Sequence, residues 1–179
     1  MSSAADDLSV VFDEHVASEF VTMDVQATMA TMTAEPFVNH VPTMMGGVGA
    51  AAVADFYSRY FIGCWPDDTT ITPVSRTVGA DRVVEEMVMS FTHDIAMPTF
   101  LPGVPPTGRA VVLPVVVVMG FEGQRVAYER IYWDQASLLV QIGLLDEASL
   151  PVTGAAQAHK VLDKDLPSNT LLGRADPGA

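Results

Sequence analysis

With 179 residues, 49% of them apolar and 17% charged, the chain has the length of one domain and enough apolar side chains to fill a core, which excludes intrinsic disorder. Its formal net charge is −13, and up to Leu150 it carries six Arg and no Lys against nineteen acids. A surface this acidic repels phosphate backbones and anionic lipid, so nucleic acid and membrane are excluded as partners. The longest apolar stretch, Ala110 to Phe121, contains Pro114 and falls short of the ~20 residues of a membrane span. The first twenty residues are acidic and do not read as a basic-then-apolar leader, so the expected location is the cytoplasm.

The chain opens on a helical pattern, because Leu8, Val11, Phe12, Val16, Phe20 and Met23 recur at steps of three and four with acids between them. Asp24 is placed to cap a second, shorter helix through Met32, with Val25, Met29 and Met32 on one side. Pro36 to Pro42 reads as a short extended piece, Met44 to Gly49 as a loop, and Ala50 to Phe61 as a third helix. The period then changes. Thr69 to Val78 and Arg82 to Asp94 are strands around the turn Gly79-Ala80-Asp81, and Pro98 to Arg109 is a loop with four prolines and two glycines. Ala110 to Phe121 and Gln124 to Trp133 form a second strand pair around Glu122-Gly123, and the unbroken apolar run Val115 to Met119 is covered on both faces. Asp134 caps a last short helix, Gln135 to Gly143. Residues 1–150 thus make one domain, and 151–179, rich in Gly, Ala, Pro and Asp, a loosely packed or extended tail. Helices gathered at one end of an antiparallel sheet define an α+β layer fold. Cys64 reads as a small core residue, since a lone Cys forms no internal disulfide and no Cys/His zinc spacing exists.

Three motifs carry a resemblance. The loop Pro102-Gly103-Val104-Pro105-Pro106-Thr107-Gly108-Arg109, the hairpin Phe121-Glu122-Gly123-Gln124-Arg125-Val126, and Asp134-Gln135 followed by Leu138-Leu139-Val140-Gln141-Ile142-Gly143 are similar, in order and spacing, to those of SnoaL-like polyketide cyclases. The chain resembles this group, within the nuclear transport factor 2-like superfamily, over residues 5–145. The resemblance implies a cone: a curved antiparallel sheet wrapped round N-terminal helices, with a cavity open at one end for a small apolar ligand.

Alternation along Ala127 to Trp133 sends Glu129, Ile131 and Trp133 to one face and Tyr128, Arg130 and Tyr132 to the other. In the group resembled, a general acid/base Asp stands three residues before the helix-opening Asp; here that position is Ile131, which cannot move a proton. Glu129, on the same face, is expected to supply the carboxylate, with its pKa raised by apolar surroundings beside Trp133. His93, on the face of Met87, Met89 and Phe91, is a candidate donor or base. His40 and Asn39 stand close to where the resembled steroid isomerases carry a catalytic Asp before a Pro. Trp133, Phe91, Asn39, Ile131, Phe56 and Tyr60 are the expected pocket residues.

Other groups read as structural. Adjacent Glu85 and Glu86 face opposite ways, so at least one belongs to the surface. His15 and Glu19, one helical turn apart without a second His, read as a solvated face. Gly46-Gly47-Val48-Gly49 lacks the Lys-Ser/Thr of a phosphate loop, and the ten Met residues suit an adaptable apolar interior. The expected function is general acid/base catalysis on a hydrophobic carbonyl or hydroxyl compound by Glu129, His93 and His40, without metal or organic cofactor. The competing expectations are a ligand-binding accessory protein, supported by Ile131, and a homodimer paired through the sheet face of Tyr128, Arg130 and Tyr132.

Overall fold

A computed structural model describes residues 4–172. The chain begins with α1 (Ala4–Phe20) and α2 (Val25–Ala30), the second capped by Asp24, whose carboxylate accepts from the backbone N–H groups of Gln26 and Ala27. Strands β1 (Met32–His40) and β2 (Met45–Val48) follow, then α3 (Ala50–Phe56), which runs into a π-helical turn at Tyr57–Phe61. The meander β3 (Thr70–Val78), β4 (Arg82–Thr92), β5 (Ala110–Glu122) and β6 (Arg125–Trp133) comes next, and α4 (Gln135–Gln141) and α5 (Ala156–Leu162) close the described chain.

The six strands form one curved sheet in the order β2-β1-β6-β5-β4-β3. Every neighbouring pair is antiparallel except β1 with β6, which is parallel. The α+β cone expected from the sequence is the architecture found, with two local differences. Helix α2 stops at Ala30, so Met32 opens β1 and is buried as a strand residue. The segment read as a loop is the edge strand β2, whose glycines hide its strand character but allow its close fit. Gly46 adopts φ 147°, and a Cβ there would lie 2.0 Å from the Val38 carbonyl oxygen. Gly46→Ala is therefore expected to lower stability by about 2 kcal/mol or more, read as a fall in the urea midpoint.

The core lies between α1 and the concave sheet face. Leu8 and Phe12 of α1 pack with Phe56, Tyr57, Val83, Leu113, Val115 and Met119, all buried. Alternation on β4 buries Val83, Glu85, Met87, Met89 and Phe91, while Val84, Glu86, Ser90 and Thr92 stay partly exposed. The residues after 150 include α5, where Ala158 is fully buried and the Gln157 amide donates to Asp134 Oδ2 at 3.1 Å. Residues 173–179 of the tail lie outside the described residues. No described helix is long and apolar enough to cross a membrane.

Candidate active site

A cavity of about 210 Å³ opens between α1 and the sheet. Phe12, Val16 and Phe20 of α1 form one wall, and Met87, Met89 and Ile131 of the sheet face them. Its inner polar end is lined by Glu19 of α1, His40 of β1 and Glu129 of β6, and His15 of α1 and Tyr57 of the π-turn engage the two carboxyl groups from behind the wall. All five are at least nine-tenths buried. The parallel β1–β6 register pairs His40 with Ile131 and Val38 with Glu129, which puts His40 and Glu129 on one sheet face, two positions apart along the strands.

The hydrogen bonds fix the charge state of this cluster. Thr31 spends its hydroxyl proton on the Thr28 carbonyl at 2.7 Å, so it must accept the Nδ1–H of His15 at 2.5 Å. Tyr57 spends its proton on Glu129 Oε2 at 3.1 Å, so it must accept the Nε2–H of His15 at 3.2 Å. With both ring nitrogens donating, His15 is an imidazolium. Its nearest counter-charge is Glu129 Oε1, 2.8 Å from Nε2, with Glu19 Oε1 at 3.4 Å. Burial opposes the charge, but the Glu129 and Glu19 carboxylates outweigh it and push His15 up to about 10.

The carboxylates respond in opposite directions. Burial alone would raise Glu129, yet the adjacent His15 cation and the hydrogen bonds from His15 and Tyr57 hold it below the usual carboxylate range. The rise expected for Glu129 from an apolar cone is thus reversed by a cation that the sequence reading placed in solvent. Glu19 goes up, through burial first and the neighbouring Glu129 charge second. His40, ringed by Phe56, Phe61, Phe100 and Trp133, is pushed down by burial to about 4 and is neutral. His15, Glu19 and Glu129 offer three ligand atoms within 4.8 Å of one another. The Nε2–H of His15 nevertheless points at the Tyr57 hydroxyl, so a metal ion would have to displace that side chain.

Of the residues singled out in the sequence, Glu129, His40 and Ile131 line the cavity. His93 does not join them. Its Nδ1 bonds the Thr107 hydroxyl at 3.2 Å, and its backbone holds Arg109, Thr107 and Gly108, so it ties the proline-rich loop to the end of β4. Trp133 lies behind the wall, stacked on Phe100 at 4.0 Å between ring centres with its indole N–H given to Gln135. Phe56 backs His40, and Phe91 is buried in the core beyond Met89. Tyr60 is half-buried under Arg59, and Asn39 is half-buried, opposite Gly46 and Arg130 in the sheet. One reading of polar residues is corrected: His15 and Glu19 are a buried pair rather than a solvated face. Adjacent Glu85 and Glu86 face opposite ways as expected, Glu85 buried on the cavity and bonded by Arg76 at 2.6 Å, Glu86 partly exposed. Tyr57 escaped the sequence reading. The spacing 8, 12, 15, 19 was the available signal for His15 and Glu19, since it puts both on the helix face of Leu8 and Phe12.

A curved sheet closed over α1 around a buried ionisable cluster is the architecture of the nuclear transport factor 2-like class, and comparison with known proteins bears this out. The SnoaL-like domain model matches residues 12–129, and the chain belongs to that family. Among similar solved structures is a candidate SnoaL-like polyketide cyclase from Jannaschia sp. CCS1, with 20% identity, TM-score 0.62, and coverage of 82% of this chain and 98% of that one. AclR, a candidate hydroxylase from Streptomyces galilaeus, shares 18% identity at TM-score 0.60 over 80% of this chain and 89% of its own. An NTF2-like protein of unknown function from Burkholderia pseudomallei shares 19% identity at TM-score 0.58, covering 80% of this chain and 99% of that one. These likenesses concern the fold. No curated protein matches the chain.

Proposed function

We propose that this protein is a small-molecule enzyme in which Glu129 takes a proton from a hydrophobic carbonyl or hydroxyl compound, opening an isomerisation, cyclisation or dehydration. One observation carries the reading: Glu129 lies on the wall of an apolar cavity with Oε2 held by the Tyr57 hydroxyl and Oε1 paired with the His15 ring at 2.8 Å. A buried carboxylate kept ionised and held in a fixed orientation on the cavity wall is the arrangement a general base requires. His15 keeps it charged, and the apolar walls exclude water that would compete for the proton. Neutral His40 at the same end is a second group able to share a proton with substrate.

The test is a screen of small cyclic carbonyl compounds followed by Glu129→Gln, which keeps the shape and the Tyr57 contact. Loss of at least about a hundredfold in kcat is expected, and an unchanged rate sinks the proposal. Ile131, at the position where the resemblance implies an Asp, favours a second reading as a non-catalytic ligand-binding or dimeric accessory protein. Tyr132, exposed on the outer sheet face beside Arg130 and Tyr128, is the surface on which such a dimer would pair.

A further inference from the structure

Glu19 is a buried carboxyl that the proton transfer at Glu129 leaves unused. It is 5% exposed, its Oε1 accepts no hydrogen bond and lies 3.4 Å from the His15 ring, and it lines both the cavity and a neighbouring cleft formed with Met23, Trp65, Asp67 and Thr69. We propose that Glu19 anchors a protonated amine on the substrate, so that the ligand is a small apolar compound carrying an ammonium group. This rests on the reading of the cavity as a substrate site and specifies the substrate's charge.

The charged groups around the cavity support the assignment. Four carboxyl groups face it, from Asp13, Glu19, Glu85 and Glu129. The one cation lining it and the one behind it are already matched by carboxylates: Arg76 gives Nε to Glu85 at 2.6 Å and a terminal nitrogen to Asp13 at 2.8 Å, and His15 lies 2.8 Å from Glu129 and 3.4 Å from Glu19. His40 is neutral. An anionic ligand therefore meets no uncompensated positive charge. The indole N–H of Trp65 is a neutral donor without a partner, and it suits a ligand oxygen. Beside it Glu19 Oε1 accepts no hydrogen bond and stands farther from the His15 ring, at 3.4 Å, than the 2.8 Å of Glu129, so Glu19 is the carboxyl group with acceptor capacity to spare.

The walls suit a cation as well. Phe20, Phe61, Trp65 and Phe100 touch in sequence, with ring centres 5.7, 5.4 and 5.2 Å apart, and all four line the cavity that Glu19 enters. Aromatic faces beside a carboxyl group are a recognised receptor for ammonium ions. Charge balance also holds. His15 stands nearer to Glu129, at 2.8 Å, than to Glu19, at 3.4 Å, so with one imidazolium against two carboxyl groups an arriving ammonium supplies the second cation. A cavity of about 150 Å³ accepts benzene, so one of about 210 Å³ fits a single substituted ring.

Three probes of one size decide the matter: 2-phenylethylammonium, neutral 2-phenylethanol and anionic phenylacetate, titrated calorimetrically at pH 7 in buffers of different ionisation enthalpy. The cation is expected to bind at least about tenfold tighter than either relative. Glu19→Gln should remove about tenfold from the cation's affinity while moving the alcohol's by less than about twofold. Retained Tm and circular dichroism confirm that the variant is folded. Equal or tighter binding of the alcohol or the acid, or a cation preference that survives Glu19→Gln, overturns the proposal. The Glu129→Gln rate is a separate readout, so an unchanged rate beside a Glu19-dependent cation preference rejects the base and keeps the anchor, and the opposite pair of results does the reverse.

Discussion

His15→Gln is expected to lower the stability of the protein by about 3–5 kcal/mol at pH 7, the usual cost of removing one member of a buried ion pair. The magnitude follows from what the substitution leaves behind. Gln retains a donor for Tyr57 or Glu129 but carries no charge, so Glu129, 4% exposed, loses the cation 2.8 Å from its Oε1. The variant can escape only by protonating Glu129, which ordinarily titrates far below neutral pH. Glu19 lies on the same side of the ring and drives the pair that way, because two carboxyl groups sharing one buried volume without a cation cannot both stay ionised, and the cost of protonation at neutral pH falls on the folded state. Thr31 also loses the donor that now holds it between α1 and the start of β1. For a chain of this length the loss corresponds to a fall in Tm of about 10 °C. Urea denaturation of the two proteins in parallel measures it. A variant within about 1 kcal/mol of the parent would show that Glu129 is neutral in the folded protein, and the assignment of His15 as an imidazolium would fall with it.

The fold was legible because the strongest signals in the sequence are those the architecture uses. Helix α1 announces itself through Leu8, Phe12, Val16 and Phe20, the meander through β-branched runs divided by Gly79 and Gly123, and α4 through the Asp134 cap, whose carboxylate accepts from Ala136 and Ser137. Edge strand β2 was hidden because Gly46 and Gly47, which let it lie close against β1 and α3, carry no strand signal of their own. Strand parity placed Glu129 and Ile131 on the cavity, because an unbroken strand alternates by two whatever its neighbours. His93 misled for the converse reason. It lies one residue past the end of β4, where the chain turns to hold Thr107 and Gly108, and alternation no longer decides where a side chain goes. His15, Glu19 and Tyr57 could not be read as one cluster from local pattern. Their meeting depends on α1, the π-turn and β6 converging, and Tyr57 and Glu129 are 72 residues apart in the chain. The reversal of the expected Glu129 shift has the same origin: local composition predicts burial, whereas the sign of the shift is decided by a charge from a distant segment.

Stability should pass through a maximum near pH 7 and fall on both sides by a few kcal/mol, for reasons that lie in two different histidines. His15 has a folded pKa raised from 6.5 to about 10, by Glu129 and Glu19 against the opposing effect of burial. A raised value means the folded state binds the proton more tightly than the unfolded chain. The contribution of His15 is therefore complete below 6.5 and is lost as pH climbs through about 10. His40 is the mirror case, lowered from 6.5 to about 4 by burial among aromatic rings, with Glu129 pulling the other way. Its contribution is complete above 6.5 and is lost as pH falls toward 4. Glu129, held below the ordinary carboxylate range, adds to the acid limb, since its charged form is the one the fold stabilises. Glu19, raised by burial and by Glu129, favours acid and partly offsets them, and Tyr57, raised by burial, steepens the alkaline limb above pH 10. Urea midpoints collected from pH 4 to pH 10 for the parent and for His15→Gln separate the two histidines. The substitution should flatten the alkaline limb below pH 10 and leave the part of the acid limb due to His40. An alkaline limb of unchanged slope in the variant would mean that the charge lost there belongs to another group, and that the cluster does not hold its proton at His15.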